Sequence, residues 1–385
     1  MSDSPLPDST DLRHDLAVDS IRSFIVDVPT VRRHKLSSLS VTAQSYVIVR
    51  LRLANGAEGI GEAATLGGPR WSEESVESIK ATIDAHLAPA LLGARADRFE
   101  QIRMRMDAAA KRNNAAKAAL ETALVDAVGR TLNLPAVSLL GGVVRDRIPV
   151  LWTLASGDPA QEIEEAEGKL AGRLHDTFKV KIGAQTPQAD LARLRRLAHG
   201  LEGRATLIAD VNQAWDETVS LRCLPALAEM GVRLVEQPVP AWNLPGLARI
   251  RARTSVPVLA DECVFTPHDM LAVATAAAAD AVSLKLVKHG GLFATRKVAA
   301  VAAAAGIGLY GGCLLESSIG AAAHLQVFAS LPELSWGCEH FGPQILTEDL
   351  VTEPLRFADF EIHLPTGPGI GVDLDEDKLR HFARH

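Results

Sequence analysis

The fold is decided by five apolar runs that end in charged residues: FKVK (178–181), ATLIAD (205–210), VRLVEQP (232–238), VPVLAD (256–261) and AVSLK (281–285). Their charged residues, from the first lysine onward, follow one another at steps of 31, 26, 25 and 24 residues. One strand, one helix and two loops take about that length in a (β/α)₈ barrel of about 250 residues. The pattern therefore predicts an α/β fold with a parallel barrel. Its chemistry is expected at the C-terminal ends of the strands, where such enzymes carry it.

Three of the charged residues are carboxylates on successive predicted strands: Asp210, Glu236 and Asp261. A single acid at such a position is commonly a helix cap, but three in succession favour a shared ligand. Hard divalent cations such as Mg²⁺ and Mn²⁺ prefer carboxylate oxygens. We therefore predict that these three side chains bind one divalent metal ion.

The remaining charged residues are lysines, and they suggest proton transfer. Lys179 and Lys181 are two apart, so they share one face of their strand. Two close ammonium groups repel each other, so one pKa should fall, and a lysine with a lowered pKa can exchange a proton with carbon. Lys285 ends the sixth strand, opposite the second, so a dicarboxylate substrate would be held between the lysines. The metal would then stabilise an enolate formed beside one carboxylate of that substrate.

Two polar neighbours of the predicted ligands are further candidates. Asn212 shares the face of Asp210 and is predicted to orient a ligand or the substrate. Glu262 follows Asp261 and is predicted to be the partner of a lysine. Ordinary hydrogen bonding within the loops is the alternative for both.

The chain divides into four segments on its pattern. Residues 1–18 are polar and predict a disordered tail, without the apolar region of a secretory signal. Residues 19–143 change from strand-like alternation, with a hairpin turn at Asn55-Gly56, to helical periodicity, which predicts an α+β domain. Residues 144–350 alternate between strands and helices and predict eight barrel strands. Residues 351–385 are predicted to return to the first domain.

Composition limits the class of protein. The 385 residues carry a formal net charge of −7 without a block of basic residues, which argues against nucleic acid as a partner. No apolar stretch is long enough to span a membrane. The four cysteines share no CxxC spacing, so disulfides and zinc are not expected. Together these features predict a protein of the reducing cytoplasm.

With these residues, the chain resembles the muconate-lactonising subgroup of the enolase superfamily. The KxK strand, the Asp/Glu/Asp ligands and the lysine of the sixth strand fit that pattern. Further segments, from about residue 20 to the C-terminus, resemble muconate and chloromuconate cycloisomerases. They are WTLASGD, DVNQAWDE, EQPV, YGG followed by LLESSIG, WGCEHFGP and LPTGPGIGVDLDEDKL.

The resemblance implies a (β/α)₇β barrel under an α+β capping domain. It implies Mn²⁺ or Mg²⁺, a homo-octamer, and the reversible lactonisation of cis,cis-muconate to muconolactone. Lys181 would be the acid/base at the α-carbon, with Lys179 modulating it and Lys285 opposite. Glu339 in WGCEHFGP would be the acidic residue of the last strand. Leu66 and Trp71, in the capping loop TLGGPRW, would contact the substrate.

The sequence also allows other substrates and functions. Cys263 stands where relatives commonly carry serine, and Ala321 and His340 also look unusual for the subgroup. Chloromuconate is an alternative substrate, and the face of proton delivery is not decided. Dipeptide epimerases and o-succinylbenzoate synthases share the scaffold, although the Asp-x-Asp pair of the epimerases is missing from Trp336–Glu339. A non-catalytic barrel would predict a broken lysine or ligand set, whereas this set is complete.

Overall fold

The computed structural model describes residues 16–35 and 40–384. Most of the predicted tail, residues 1–18, lies outside this part of the chain. The first strand nevertheless begins at Val18, and Ala17 already pairs with Arg95. None of the helices within the described residues is long and apolar enough to cross a membrane.

The N-terminal part is an antiparallel three-stranded sheet covered by helices. Asn55 and Gly56 lie in the turn between its second and third strands, where Gly56 has a φ of +88°. A short π-helical turn, Ile83–Leu87, joins the first two helices. The elements are β1 (Val18–Lys35), β2 (Ser40–Leu53), β3 (Glu58–Thr65), α1 (Val76–Thr82), α2 (Ala88–Leu91), α3 (Phe99–Ala109), α4 (Asn114–Leu132) and α5 (Ala136–Leu139).

The long helix α4 packs directly on β3. Two glycines of β3 make this approach possible. A Cβ on Gly59 would lie 2.1 Å from the carbonyl oxygen of Ala123, and one on Gly61 would lie 2.0 Å from that of Ala119. Any side chain there would force the helix away from the sheet.

The second part is a barrel of parallel strands separated by helices. Seven strands, β5 to β11, pair in chain order. The gap between β11 and β5 is closed by Cys338, which bridges to both Gly311 and Val150. The predicted eighth strand is therefore a single bridge. The elements are β4 (Arg147–Pro149), β5 (Trp152–Leu154), α6 (Pro159–Ala171), β6 (Thr177–Lys181), α7 (Pro187–Leu201), β7 (Thr206–Asp210), α8 (Glu217–Glu229), β8 (Val235–Glu236), α9 (Leu244–Arg251), β9 (Val258–Ala260), α10 (Pro267–Thr275), β10 (Ala281–Leu284), α11 (Leu286–His289), α12 (Leu292–Ala304), β11 (Gly308–Gly311), α13 (Ser318–Ser330) and α14 (Gly342–Ile345).

Local sequence explains where the barrel helices begin. Asp158, Thr186 and Thr266 each accept a hydrogen bond from a backbone amide of the first turn, and each is followed by proline. Such N-caps pair orphan amides, and proline at the first helical position loses no hydrogen bond. The caps fix the ends of the loops that join each strand to the next helix. These loops form the rim of the barrel on the side of the site.

The C-terminal segment contacts both parts of the molecule. Its hairpin pairs with β4 at the start of the barrel, which differs from the predicted return of the whole segment to the first domain. The end of the chain does reach that domain, because Ala383 bridges to Val26 and Arg384 pairs with Asp27. The elements are β12 (Phe357–Ala358), β13 (Glu361–His363) and α15 (Glu376–Phe382).

The barrel interior is filled below the site. A separate buried cluster contains Ile208, Leu234 and Leu259, together with Tyr310. Each of the three aliphatic residues precedes a predicted metal ligand by two positions. Since side chains two apart on a strand share a face, the ligands point into the barrel above this apolar layer.

Candidate active site and metal centre

The three predicted metal ligands follow one another around the C-terminal rim of the barrel, on three successive strands. Asp210 and Glu236 are paired in register on adjacent strands, and Asp261 directly follows β9. All three are buried. The side chain of Gln237 accepts a hydrogen bond from the amide of Asp261 at 3.0 Å, which fixes the backbone between two of the ligands.

Each carboxylate contacts one of the predicted lysines. The Nζ of Lys181 donates to Oδ2 of Asp210 at 2.5 Å. Lys179 lies 2.6 Å from Glu236, and Lys285 donates to Asp261 at 2.6 Å. Because β6 and β10 are four strands apart in a ring of eight, Lys285 faces the other two lysines across the pocket.

The two lysines of β6 do not show the predicted fall in pKa. Burial alone would lower the pKa of Lys179, but the Glu236 and Glu339 carboxylates hold it well above its ordinary value. Burial also acts to lower the pKa of Lys181, but the Asp210 carboxylate raises it. The repulsion between the two lysines is present and is outweighed, so the prediction is wrong for this arrangement.

The carboxylates fit a divalent cation. Burial raises the pKa of Glu236 to about 8, and the charge of Asp210 adds to this shift. Burial acts to raise the pKa of Asp261 as well, but Lys285 and a further lysine, Lys288, lower it. Three buried carboxylates therefore repel one another, and a cation among them would offset both the repulsion and the cost of burial.

Glu339 lies on the closing segment of the barrel and contacts Lys179. Its carboxylate accepts hydrogen bonds from Lys179 at 2.5 Å, from Thr153 at 2.7 Å and from Tyr310 at 3.0 Å. Burial acts to raise the pKa of Glu339, but Lys179 and Lys181 lower it to about 2. The side chain is thus held as an anion beside the lysine pair.

Asn212 and Glu262 contact each other. Asn212 donates to Asp210 at 3.3 Å and to Glu262 at 3.4 Å, so it orients one of the predicted ligands. Glu262 was predicted to partner a lysine. It accepts a hydrogen bond from Asn212, and it acts on Lys285 as well. Burial acts to lower the pKa of Lys285, but the carboxylates of Asp261, Glu236 and Glu262 raise it. Burial, followed by the charges of Asp261 and Asp210, raises the pKa of Glu262 to about 7.

The capping loop reaches the barrel through Trp71. The Nζ of Lys285 lies 4.4 Å from the ring centroid of Trp71, a cation–π distance. Phe265, in the loop after β9, lies 6.5 Å from the same ring. Leu66 is buried immediately after β3. The loop thus lies over the lysine on one side of the pocket.

Sequence reasoning missed three residues that hold the site together. Lys288 donates to the side chain and the carbonyl oxygen of Asp261, at 2.8 Å each. Thr153 and Tyr310 orient Glu339. Thr153 and Tyr310 lie within segments that resemble the muconate-lactonising subgroup, and Lys288 lies one helical turn after Lys285. That spacing was the signal available for it.

Both parts of the chain match models of known domains. Residues 20–141 match the model of the mandelate racemase / muconate lactonizing enzyme N-terminal domain, and residues 161–378 match an enolase C-terminal domain-like model. The chain is 47% identical over 369 residues to a chloromuconate cycloisomerase of Pseudomonas sp. (strain P51), covering 96% of this chain and 100% of that one. It is 45% identical to muconate cycloisomerase 1 of Pseudomonas putida, covering 95% and 98%.

Solved structures of muconate and chloromuconate cycloisomerases have the same fold as this chain. A muconate lactonizing enzyme from Pseudomonas fluorescens, complexed with muconolactone, superposes with a TM-score of 0.95 at 45% identity, covering 96% of this chain and 100% of that one. A 2-chloromuconate cycloisomerase from Rhodococcus opacus gives 0.93 at 42% identity, with the same coverage. With the lysines and carboxylates in place on this fold, the chain belongs to the mandelate racemase / muconate lactonizing enzyme family of the enolase superfamily.

Proposed function

We propose that this isomerase closes cis,cis-muconate to muconolactone in the catabolism of aromatic compounds. The observation that carries the proposal is the row of three buried carboxylates on successive strands, each paired with a lysine, with Lys181 at one end and Lys285 at the other. Relatives named for muconate or chloromuconate cycloisomerisation share 42–47% of their residues with this chain over nearly its whole length. The substrate is therefore a small dicarboxylate.

A divalent cation, Mn²⁺ or Mg²⁺, is proposed to bind Asp210, Glu236 and Asp261. When bound, it would stabilise negative charge that develops on the substrate carboxylate. Asn212 would hold Asp210 in place, and Gln237 would hold the backbone of Asp261. Lys288 would keep the Asp261 carboxylate ionised.

Proton transfer is assigned to Lys181. Ring closure by the distal carboxylate leaves an electron pair at the carbon next to the other carboxylate, and that carbon must gain a proton. Lys181 would donate it, while Lys179, fixed between Glu236 and Glu339, would supply positive charge. Lys285 would stabilise the substrate from the opposite side and would be the donor if the other face is protonated.

Chloromuconate is the second candidate substrate. Curated chloromuconate cycloisomerases at 44–47% identity resemble the chain as closely as the muconate enzymes do. Trp71 lies against Lys285, and Cys263 stands two residues after Asp261, so replacement of either would test the halogen preference. Identity alone does not separate the two substrates, because they differ by a single atom.

Two further properties are proposed on the resemblance and the composition. A homo-octamer is expected, and light scattering of the purified chain tests it. A cytoplasmic location agrees with four free cysteines. The absence of a basic block agrees with a small-molecule partner rather than nucleic acid.

The test of function is a substrate panel. Purified protein with Mn²⁺ is incubated with cis,cis-muconate, with 2- and 3-chloromuconate and with a set of dipeptides, and the products are identified by NMR. We expect muconate to give muconolactone with the highest kcat/KM. Faster turnover of a chloromuconate would reassign the substrate, and epimerisation of a dipeptide without lactonisation would overturn the proposal.

A further inference from the structure

A second group of potential metal ligands lies next to the backbone of Leu286, the residue after Lys285, and is separate from Asp210, Glu236 and Asp261. Glu316 lies in the loop between β11 and α13, His324 lies on α13, and His340 follows Glu339. All three side chains are at most 2% exposed. One ligand atom from each lies within 4.8 Å of the other two. We call these three residues the histidine cluster.

The histidine cluster has unused polar atoms. Neither ring nitrogen of His340 has a hydrogen-bond partner among the described residues, and Oε1 of Glu316 also lacks one. Burying such groups without a partner is unfavourable, because their hydrogen bonds to water are lost and not replaced. Two of the three side chains thus keep a buried polar atom without a partner among the described residues, and a further ligand would supply one.

Both ring nitrogens of His324 have backbone partners, and the lone pair that a metal would need is shared with one of them. Its Nδ1 lies 2.8 Å from the carbonyl oxygen of Gly320 and donates to it. The lone pair is therefore on Nε2, which accepts from the amide of Leu286 at 2.9 Å. A backbone partner on the far nitrogen is the usual way in which a metal-binding histidine is oriented.

The distances within the histidine cluster are too long for direct hydrogen bonds. Nε2 of His324 lies 3.9 Å from Oε1 of Glu316, and Nε2 of His340 lies 4.0 Å from Oε2 of the same carboxylate. Hydrogen bonds to nitrogen span about 2.7–3.2 Å. The separations leave room for one atom that all three side chains contact.

We propose that Glu316, His324 and His340 bind a transition-metal cation of the zinc and cobalt type. Two imidazoles and one carboxylate suit such ions, whereas Mg²⁺ prefers oxygen ligands alone. Burial lowers the pKa of His324 to about 4, and it holds that of His340 well below its ordinary value. Both rings are thus neutral near pH 7, as metal ligands must be.

Metal binding at the histidine cluster would change the position of an active-site lysine. Bonds of about 2.0–2.2 Å require the three side chains to draw together slightly. Nε2 of His324 would also have to release the amide of Leu286. Since that residue directly follows Lys285, the ion would alter the position of a lysine assigned to the substrate.

Cobalt binding tests the proposal without depending on turnover. In full-length protein carrying Asp210→Asn and Glu236→Gln, the carboxylate centre is weakened, so remaining Co²⁺ binding reports on the histidine cluster. We expect one equivalent of Co²⁺, with the intense visible absorption of a tetrahedral site. Adding His340→Leu should raise the Kd at least about tenfold.

Two further variants keep the result interpretable. Glu316→Gln should also weaken Co²⁺ binding, with less effect on packing than His340→Leu. The exposed His86→Leu is the matched control and should leave binding unchanged. If no Co²⁺ binds, or if neither His340→Leu nor Glu316→Gln changes its affinity, the cluster holds water and the proposal is wrong.

Discussion

Lys179 and Lys181 share one face of β6 but have different surroundings. The side chain of Lys179 is 1% exposed and contacts the carboxylates of Glu236 and Glu339. That of Lys181 is 10% exposed and has a single carboxylate partner, Asp210. The more accessible lysine with fewer partners is better suited to exchange a proton with a substrate.

Replacing Lys181 by alanine should therefore remove proton transfer. We expect kcat to fall by about three orders of magnitude or more, since general acid–base catalysis contributes about 10²–10⁴-fold and the charge is lost as well. Mn²⁺ binding, measured by calorimetry, should persist. Lys181→Arg is the control that keeps the charge, and it too should be nearly inactive. A Lys181→Ala enzyme with near-normal kcat would exclude this role.

The position of a site residue was predictable from the sequence where the residue stands at the end of a single strand. Asp210 and Glu236 end apolar runs, and Asp261 follows one, so the period of the strand sufficed to place them at the rim. The spacing of Lys288 after Lys285 marks it as a candidate, but its contact with Asp261 depends on a turn that the spacing does not reveal. The raised pKa of Lys181 likewise follows from a direct contact with Asp210, which the sequence separation of 29 residues does not reveal.

At the scale of elements, the capping loop connects β3 to α1 and lies over the barrel. Trp71 contacts Lys285, which is itself bound to Asp261. A side chain in this loop therefore shapes the pocket from outside the barrel, where a lid is commonly found.

Changes in the capping loop should alter substrate preference more than the rate of chemistry. We expect Leu66→Val and Trp71→Phe each to shift the ratio of kcat/KM between muconate and 2-chloromuconate by about tenfold, the effect of one methylene or less in a pocket. Trp242→Phe, at a tryptophan that is 80% exposed, serves as the control. Unchanged ratios for both loop variants would mean that the loop does not contact the substrate.

A second pair of elements joins the capping domain to the barrel. Glu121 on α4 accepts a hydrogen bond from the amide of Phe293, in the first turn of α12, at 2.9 Å. Burial raises the pKa of Glu121 from an ordinary value of 4.5 to about 7. The folded protein thus holds a proton there that the unfolded chain has already released.

This shift predicts a loss of stability as pH rises. Below about pH 4.5 the carboxyl is protonated in both states, and above about pH 7 it is ionised in both, so the free energy of unfolding falls between these values. The contribution is roughly 3 kcal/mol, at about 1.4 kcal/mol per pKa unit. Glu121→Gln should raise Tm relative to wild type at pH 8 but not at pH 4.5. Glu100→Gln, at an exposed acid of the same interface, should behave like wild type at both pH values.

At the scale of the molecule, the capping sheet and the barrel act as one body. Tyr46 donates to the carbonyl oxygen of Leu315 at 2.6 Å, and Gln44 donates to that of Leu314 at 2.9 Å. The loop after β11 is thereby fixed to β2. The site therefore depends on both parts of the chain.

The overall fold was predictable because each part has its own period. Alternation followed by helical spacing indicated the capping domain, and repeated strand–helix units indicated the barrel. The eighth strand is shorter than predicted, because it consists of the two bridges that Cys338 makes with Val150 and Gly311. The pairing of β13 with β4 was missed, since Ile148 and Ile362 are far apart in sequence and no local pattern joins them.

Removing the divalent cation should affect the whole molecule. Treatment with EDTA is expected to abolish turnover and to lower Tm by a few degrees, because a ligand at about 100 times its Kd stabilises by about 2.7 kcal/mol. Mn²⁺ or Mg²⁺ should restore both. In Asp210→Asn, addition of either cation should leave Tm nearly unchanged. Full activity in verified metal-free protein would contradict the metal assignment.

The central claim is that Lys181 protonates the carbon next to a substrate carboxylate during lactonisation. The most direct measurement is the NMR spectrum of the product formed from cis,cis-muconate in D₂O by the wild type and by Lys181→Ala and Lys285→Ala. We predict muconolactone with one deuterium at that carbon, on the face occupied by Lys181, and almost no product from Lys181→Ala. Deuterium on the opposite face, with Lys285→Ala the more damaging change, would contradict the claim.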